Sequence, residues 1–182
     1  MVVSEAGTGG GMNILGREGS GGHRLTIRNN IFDDIDGQKW GGGGHFMKVT
    51  DWDGMVIENN TVRQKNNITV AYGEPVKGFV FRSNIIFENE YGFFGDGTGV
   101  GQPAIDRFFP GGKIIGNVII GGTKERYREP NVFPPSAEAV GFVNAANADF
   151  GLRPDSRYLK SGAGGARPGA DLDISQVGRK GQ

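Results

Sequence analysis

Four stretches of this 182-residue chain repeat one alternation of apolar and polar positions. They are Leu25-Thr-Ile-Arg-Asn-Asn-Ile-Phe32, Met55-Val-Ile-Glu-Asn-Asn-Thr-Val62, Phe79-Val-Phe-Arg-Ser-Asn-Ile-Ile86 and Lys113-Ile-Ile-Gly-Asn-Val-Ile-Ile120. Each is a β-type run, a short break that ends in Asn, and a second β-type run. Period-two alternation puts Met55 with Ile57, Phe79 with Phe81, and Leu25 with Ile27 on one face, and turns Val56 and Glu58 to the other. A further short β-type run stands ahead of each unit, so one cycle holds three strands. Cycles measure 22 residues from Met47 to Thr69 and 24 from Thr69 to Phe93. A unit of this length, recurring with variable insertions, marks a repeat architecture in which each unit buries its apolar face by stacking on the next. The pattern predicts an all-β fold, a parallel β-solenoid of about four coils.

Three lanes of strands follow. The first holds Met12–Leu15, Phe46–Val49, Ile68–Tyr72 and Gly92–Phe94. The second holds Leu25–Arg28, Met55–Glu58, Phe79–Arg82 and Lys113–Ile115. The third holds Ile31–Ile35, Thr61–Gln64, Ile85–Glu88 and Val118–Ile120. Between the second and third lies a two-residue corner: Asn29-Asn30, Asn59-Asn60, Ser83-Asn84 and Gly116-Asn117. So tight a corner calls for one left-handed residue, which Asn and Gly tolerate best. An inward amide at the same corner of every coil can donate and accept along the stack. Asn30, Asn60, Asn84 and Asn117 are therefore expected to form a structural ladder.

Composition supports this picture and removes others. Glycine is 34 of 182 residues, against a usual ~7%, which suits turns between many short strands. The 20 basic and 20 acidic residues balance, so no charge excess points to nucleic acid or an anionic membrane surface. No apolar run approaches the ~18 residues of a membrane-spanning helix, and Met1-Val-Val-Ser-Glu-Ala-Gly lacks the apolar core of a leader. The absence of Cys excludes disulfides, thiol chemistry and cysteine metal sites, and two histidines, His23 and His45, exclude a His-rich metal centre. The strings at Gly7–Met12 and Gly95–Val100 lack the last glycine of a dinucleotide fingerprint. Asn59-Asn-Thr61 and Asn67-Ile-Thr69 spell glycosylation acceptors by chance, the first on a ladder corner.

The variable corners are where function is expected. Insertions run over residues 33–45, 96–110 and 121–130. Three regions result: coils over 1–122, a C-terminal closing segment over 123–160 that covers the open end of the solenoid, and a Gly-rich extended tail over 161–182. The chain begins almost inside a coil, so further coils are expected ahead of Met1, with stacking on other β-helix coils as one partner.

The x-Ile-x-Asn-Asn-x-Ile repeat, with the ending Val140-Gly-Phe-Val-Asn, Asp149-Phe-Gly-Leu-Arg-Pro-Asp-Ser and Gly169-Ala-Asp-Leu, resembles the right-handed parallel β-helix superfamily, the pectate-lyase-like fold. The resemblance covers residues 12–172, and its ending is similar to that of secreted bacterial repeat proteins. It implies a secreted, extracellular protein whose partner is a polysaccharide or cell-surface glycan, without nucleic acid or membrane insertion. Lyases of this superfamily hold calcium on carboxylates beside an Arg or Lys base. No complete lyase motif matches residue by residue, but Asp51 and Asp53 at a corner, with Lys48 on the adjacent strand, are the candidate metal ligands for calcium, the candidate cofactor, and Lys48, Asp51, Asp53 and Arg107 are the candidate catalytic residues.

Each candidate also has a plain reading. Asp51-Trp52-Asp53-Gly54 is a good turn sequence. Asp33, Asp34 and Asp36 hint at a cation loop, yet the EF-hand spacing is absent and a solvated loop fits. Trp40 and Trp52 are candidate sugar platforms or packed side chains. Tyr72, Asp96 and Asp106 are the other candidate binding residues. Asp106 with Glu74 or Asp96 offers a hydrolase carboxylate pair, and Asp106-Arg107-Phe-Phe109 reads equally as a surface ion pair anchored by buried rings. His45 is a candidate base or a solvated loop residue. Three functions stay open: a β-helix module that binds polysaccharide along the first lane, a calcium-assisted lyase or hydrolase, and a purely structural surface repeat.

Overall fold

The computed structural model describes residues 2–3, 9–16 and 21–172. The expectation of coils ahead of Met1, and the last part of the expected tail, 173–182, fall outside the described residues.

Strands visit three sheets in strict rotation. The first circuit is β1 (Val2–Val3), β2 (Gly9–Leu15) and β3 (Gly22–Arg28), and the second is β4 (Ile31–Ile35), β5 (Gly42–Thr50) and β6 (Trp52–Glu58). The third is β7 (Thr61–Gln64), β8 (Thr69–Ala71) and β9 (Val80–Arg82), and the fourth β10 (Ile85–Phe87), β11 (Phe93–Gly95) and β12 (Lys113–Ile115). β13 (Val118–Ile120) starts a fifth. The first sheet is β2-β5-β8-β11, the second β3-β6-β9-β12 and the third β1-β4-β7-β10-β13. Every pairing in the three is parallel. Mostly β structure in stacked parallel sheets is compatible with a β-helix.

Alternation decides what is buried. Met55, Ile57, Phe79 and Phe81 are fully buried, and Leu25 and Ile27 pack beside them half-exposed. Phe93 meets Phe81 edge-on at 5.4 Å and Phe109 lies 4.2 Å from Phe79, so aromatic rings fill the interior at the fourth circuit. Such contacts stabilise beyond their buried area by about 0.5–1.5 kcal/mol each. In the third sheet Phe32 pairs Val62 and Ile35 pairs Gln64. Two residues there face one, a β-bulge that sets Asp34 in the left-handed region (φ 58).

The Asn corner folds as anticipated. Asn29, Asn59, Ser83 and Gly116 have φ of 54, 51, 54 and 66, and the following Asn points inward. Asn60, Asn84 and Asn117 are fully buried. The ladder also has a fifth rung: Asn117 Nδ2 donates to Asn131 Oδ1 at 2.9 Å, and Asn131 Nδ2 donates to Ile114 O at 2.8 Å.

Two insertions fold into helices. Asp36 caps α1 (Gly37–Trp40), and α2 (Gln102–Phe108) buries Ala104, Ile105 and Phe108 against the fourth circuit. Residues past β13 diverge from the expected closure. Tyr127 and Phe133 stack at 5.6 Å, and Tyr127 meets Phe93 of β11 edge-on, so this stretch covers the end of the interior. Residues 137–172 instead lie along the flank. They comprise α3 (Ala137–Val140) and the antiparallel pair β14 (Phe142–Asn144) and β15 (Asp149–Leu152). Val140, Phe142, Phe150, Leu152 and Tyr158 pack with Ile31, Ile85, Val118 and Ile120, outward residues of the third sheet. A parallel sheet buried on both faces suits this sealing.

The expectation of an extended tail is corrected over residues 161–172. The segment is strapped to the Asn corner: Ala163 N donates to Ser83 Oγ, Asn59 Nδ2 to Arg167 O, Ala170 N to Thr61 Oγ1 and Asp171 N to Asn29 Oδ1, at 2.7–3.0 Å. Polar side chains of the corner thus add to the segment's own bonds from Gly162 N to Ala166 O and from Gly165 N to Gly162 O.

Candidate functional site

The first sheet keeps an open outward face among the described residues. Asn13, Lys48, Val70 and Phe94 stand in register on consecutive strands. Leu15 pairs Thr50 in the next row, which continues through Tyr72 and Asp96 because Tyr72 N bonds Val49 O and Asp96 N bonds Ala71 O. Where the chain leaves this sheet, Asp51 (φ 51) and Gly73 (φ 67) turn left-handed. The turns open a shallow groove of about 420 Å³ lined by Leu15, Thr50, Asp51, Tyr72, Gly73 and Glu74.

Leu15 is 48% exposed, the largest aliphatic surface beside the groove. The Lys48 ammonium lies 5.1 Å from the centre of the Tyr72 ring, a cation–π contact worth about 0.5–1 kcal/mol at an exposed site. Asp51 and Glu74 have no ion-pair partner among the described residues, and both bring carboxylate acceptors to the rim. Apolar floor and acceptor rim together suit an amphipathic ring that carries hydroxyl donors.

The expected site residues divide. Lys48, Asp51, Tyr72 and Glu74 come together here, with Asp96 one strand on. Asp53 does not join: its Oδ1 accepts from Lys77 N at 3.0 Å. Among the described residues no group of three or more His, Asp or Glu side chains forms a metal cluster, and Asp51 lines the groove while Asp53 does not. Trp52 is no open platform, since it packs on the interior and its ring covers Gly22, where an added Cβ would lie 2.3 Å away. Trp40 is 38% exposed, but Lys39 sits 4.5 Å over its ring and its Nε1 donates to Asp34.

Arg107 also stands apart, 5.5 Å from the Phe108 ring. Asp106 accepts from Gln102 at 2.8 Å and pairs with Arg128 at 3.1 Å. It lines a separate cavity of about 160 Å³ to which neither Glu74 nor Asp96 belongs, so the hydrolase pair is not assembled. The reading of an ion pair above two buried rings fits, with Arg128 in place of Arg107. Asp33 pairs with Arg63, Asp34 with Lys39, and Asp36 caps α1, so the acidic loop spends its charges on structure. The hydrogen bond from Lys39 holds the Asp34 carboxyl below its ordinary value.

His45 lies in β5 five positions before Thr50. It is 8% exposed, its Nε2 has no partner, and burial followed by the nearby Lys48 charge lowers its pKa. It packs over Gly10 and does not reach the groove.

Sequence reasoning passed over Leu15 and Thr50. Both follow an inward residue, Ile14 and Val49, so period-two alternation carries the signal that they face out. Comparison with protein-family models, curated proteins and solved structures gives no match.

Proposed function

We propose that the chain is a right-handed parallel β-helix module of the pectate-lyase-like kind, from an extracellular, carbohydrate-associated protein, and that it binds polysaccharide along the outward face of the first sheet. The observation that carries this reading is the groove beside Leu15 and Tyr72 with Asp51, Thr50 and Glu74 at its rim. Sugar recognition combines an apolar surface for the CH face of a ring with fixed polar groups for its hydroxyls. Lys48 holds Tyr72 in place, and the same row continues to Asp96, so several sugar units of one strand can be met in succession.

Binding without turnover is favoured over lyase or hydrolase chemistry. Asp53 is engaged by Lys77, Asp106 by Arg128, and the Lys48 ammonium by Tyr72. The test is retention on a panel of insoluble and soluble polysaccharides, with and without calcium. Retention that is lost in a Leu15→Asp/Tyr72→Ala variant of unchanged melting temperature supports the reading. Equal retention of that variant, or retention of neither protein on any polysaccharide, overturns it.

A further inference from the structure

We infer that the groove, on the carbohydrate reading just given, selects glycans that carry no acidic groups and turns away uronates and other anionic sugars. Two charged side chains line it, Asp51 and Glu74, and both are acids. Neither is in an ion pair among the described residues. Among the described residues Lys48, one row away, has its ammonium 5.1 Å from the centre of the Tyr72 ring. Asp96 extends the row with a third exposed carboxylate, also without an ion-pair partner among the described residues. Two ionised carboxylates accept hydrogen bonds and donate none. A neutral sugar meets them with its hydroxyls, and an amino sugar adds an ammonium that forms charge-assisted hydrogen bonds. A uronate brings a like charge to the same rim, and no cation is among the groove's described lining residues.

The apolar floor matters as much as the rim. Leu15 and Tyr72 attract any saccharide ring whatever its charge, so the floor supplies binding and the carboxylates supply discrimination, chiefly by repulsion of the wrong class. Asp51 also suits its place for a local reason. Its left-handed backbone (φ 51) is one that Asp and Asn tolerate and most residues do not, so Asp51→Asn removes the charge with the turn intact.

The experiment is calorimetric titration of the full chain at low and high salt with three sets of hexasaccharides: neutral cello- and xylo-oligosaccharides, fully deacetylated chito-oligosaccharide, and oligogalacturonate. The expected order is amino over neutral over uronate, with at least tenfold between neutral and uronate. High salt should narrow these gaps, because exposed charges are screened. In the Asp51→Asn/Glu74→Gln variant the amino sugar should fall to the neutral level and the uronate should rise to it. Wild-type protein that binds oligogalacturonate as tightly as the neutral sugars, or a variant with the wild-type order, overturns the charge selection and leaves the carbohydrate reading standing. Binding to none of the sets overturns the carbohydrate reading, and the selection falls with it.

Discussion

The side-chain amide of Asn84 donates to Oδ1 of Asn117 at 3.0 Å, and the backbone N–H of Asn84 reaches the same oxygen at 2.9 Å. Asn30 treats Asn60, Asn60 treats Asn84 and Asn117 treats Asn131 in the same way. Every amide oxygen from Asn60 onward thus takes two donors from the preceding circuit, while each nitrogen also bonds a backbone carbonyl. Inside a dry interior this satisfies the polar atoms of a sharp corner that no regular strand pairing could serve.

Asn84→Ala should therefore lower stability by about 1–3 kcal/mol, because Asn60 N and Ile57 O lose buried partners. Asn30→Ala, at the half-exposed first rung, should cost less. Urea denaturation of both variants checks the order, and equal midpoints for wild type and Asn84→Ala would remove the ladder from the account of stability.

Truncation after Lys160 should uncover the Asn corner and the adjoining edge of the third sheet, while residues 137–160 still cover the rest of that sheet. Ala170 is buried against it, and Ser83 Oγ, Thr61 Oγ1 and Asn29 Oδ1 lose the backbone donors they accept from. The expected result is a lower melting temperature, binding of a hydrophobic dye and concentration-dependent association by sedimentation. A monomeric truncated protein with the wild-type melting temperature would show the strap to be dispensable.

Stability should fall on mild acidification. Burial lowers the His45 pKa below its ordinary value of 6.5, so the unfolded chain takes up the proton first. Proton uptake by the unfolded state favours unfolding, so the loss begins as pH drops through about 6.5 and continues down to the depressed folded value. Melting temperatures between pH 7.5 and 5.5 measure it. His45→Gln should flatten that slope; a slope unchanged in the variant assigns it to other groups.

Tyr127→Phe should destabilise the end of the interior by about 1–3 kcal/mol, since the phenol donates to the buried Glu88 carboxylate, which then keeps Arg126 alone as a partner. Burial, then the Glu88 charge, holds the Tyr127 phenol well above its ordinary value of 10.0. Ultraviolet titration should accordingly show one fewer late-ionising tyrosine in the variant than in wild type.

The fifth rung shows the limit of pattern reading. Glu129-Pro-Asn-Val-Phe133 follows the repeat, but Pro130 stands where Asn29, Asn59, Ser83 and Gly116 turn left-handed. Proline cannot adopt that backbone, and only the Val118–Val132 bridge follows, so neither half of the local signal is present. Asn131 takes its place because Asn117 and Ile114 stand ready to pair with it.

The candidate site was legible in parts for a similar reason. Alternation tells inward from outward, so Lys48 and Tyr72 could be placed on one face. Whether a carboxylate stays free depends on partners distant in sequence. Asp33 meets Arg63 and Asp106 meets Arg128, and no spacing along the chain announces either meeting.

By itself, then, the sequence determined the strand rotation, the register and the Asn corner, because period-two alternation and left-handed tolerance are local properties that each unit carries in its own residues. Tertiary structure decided that Tyr127 and Phe133 cover one end of the interior, that residues 161–172 bind the corner, and that Asp51 and Glu74 have no ion-pair partner among the described residues while Asp53 accepts from the Lys77 backbone. Those outcomes turn on contacts between residues many tens of positions apart, which stacking of the circuits alone brings within reach.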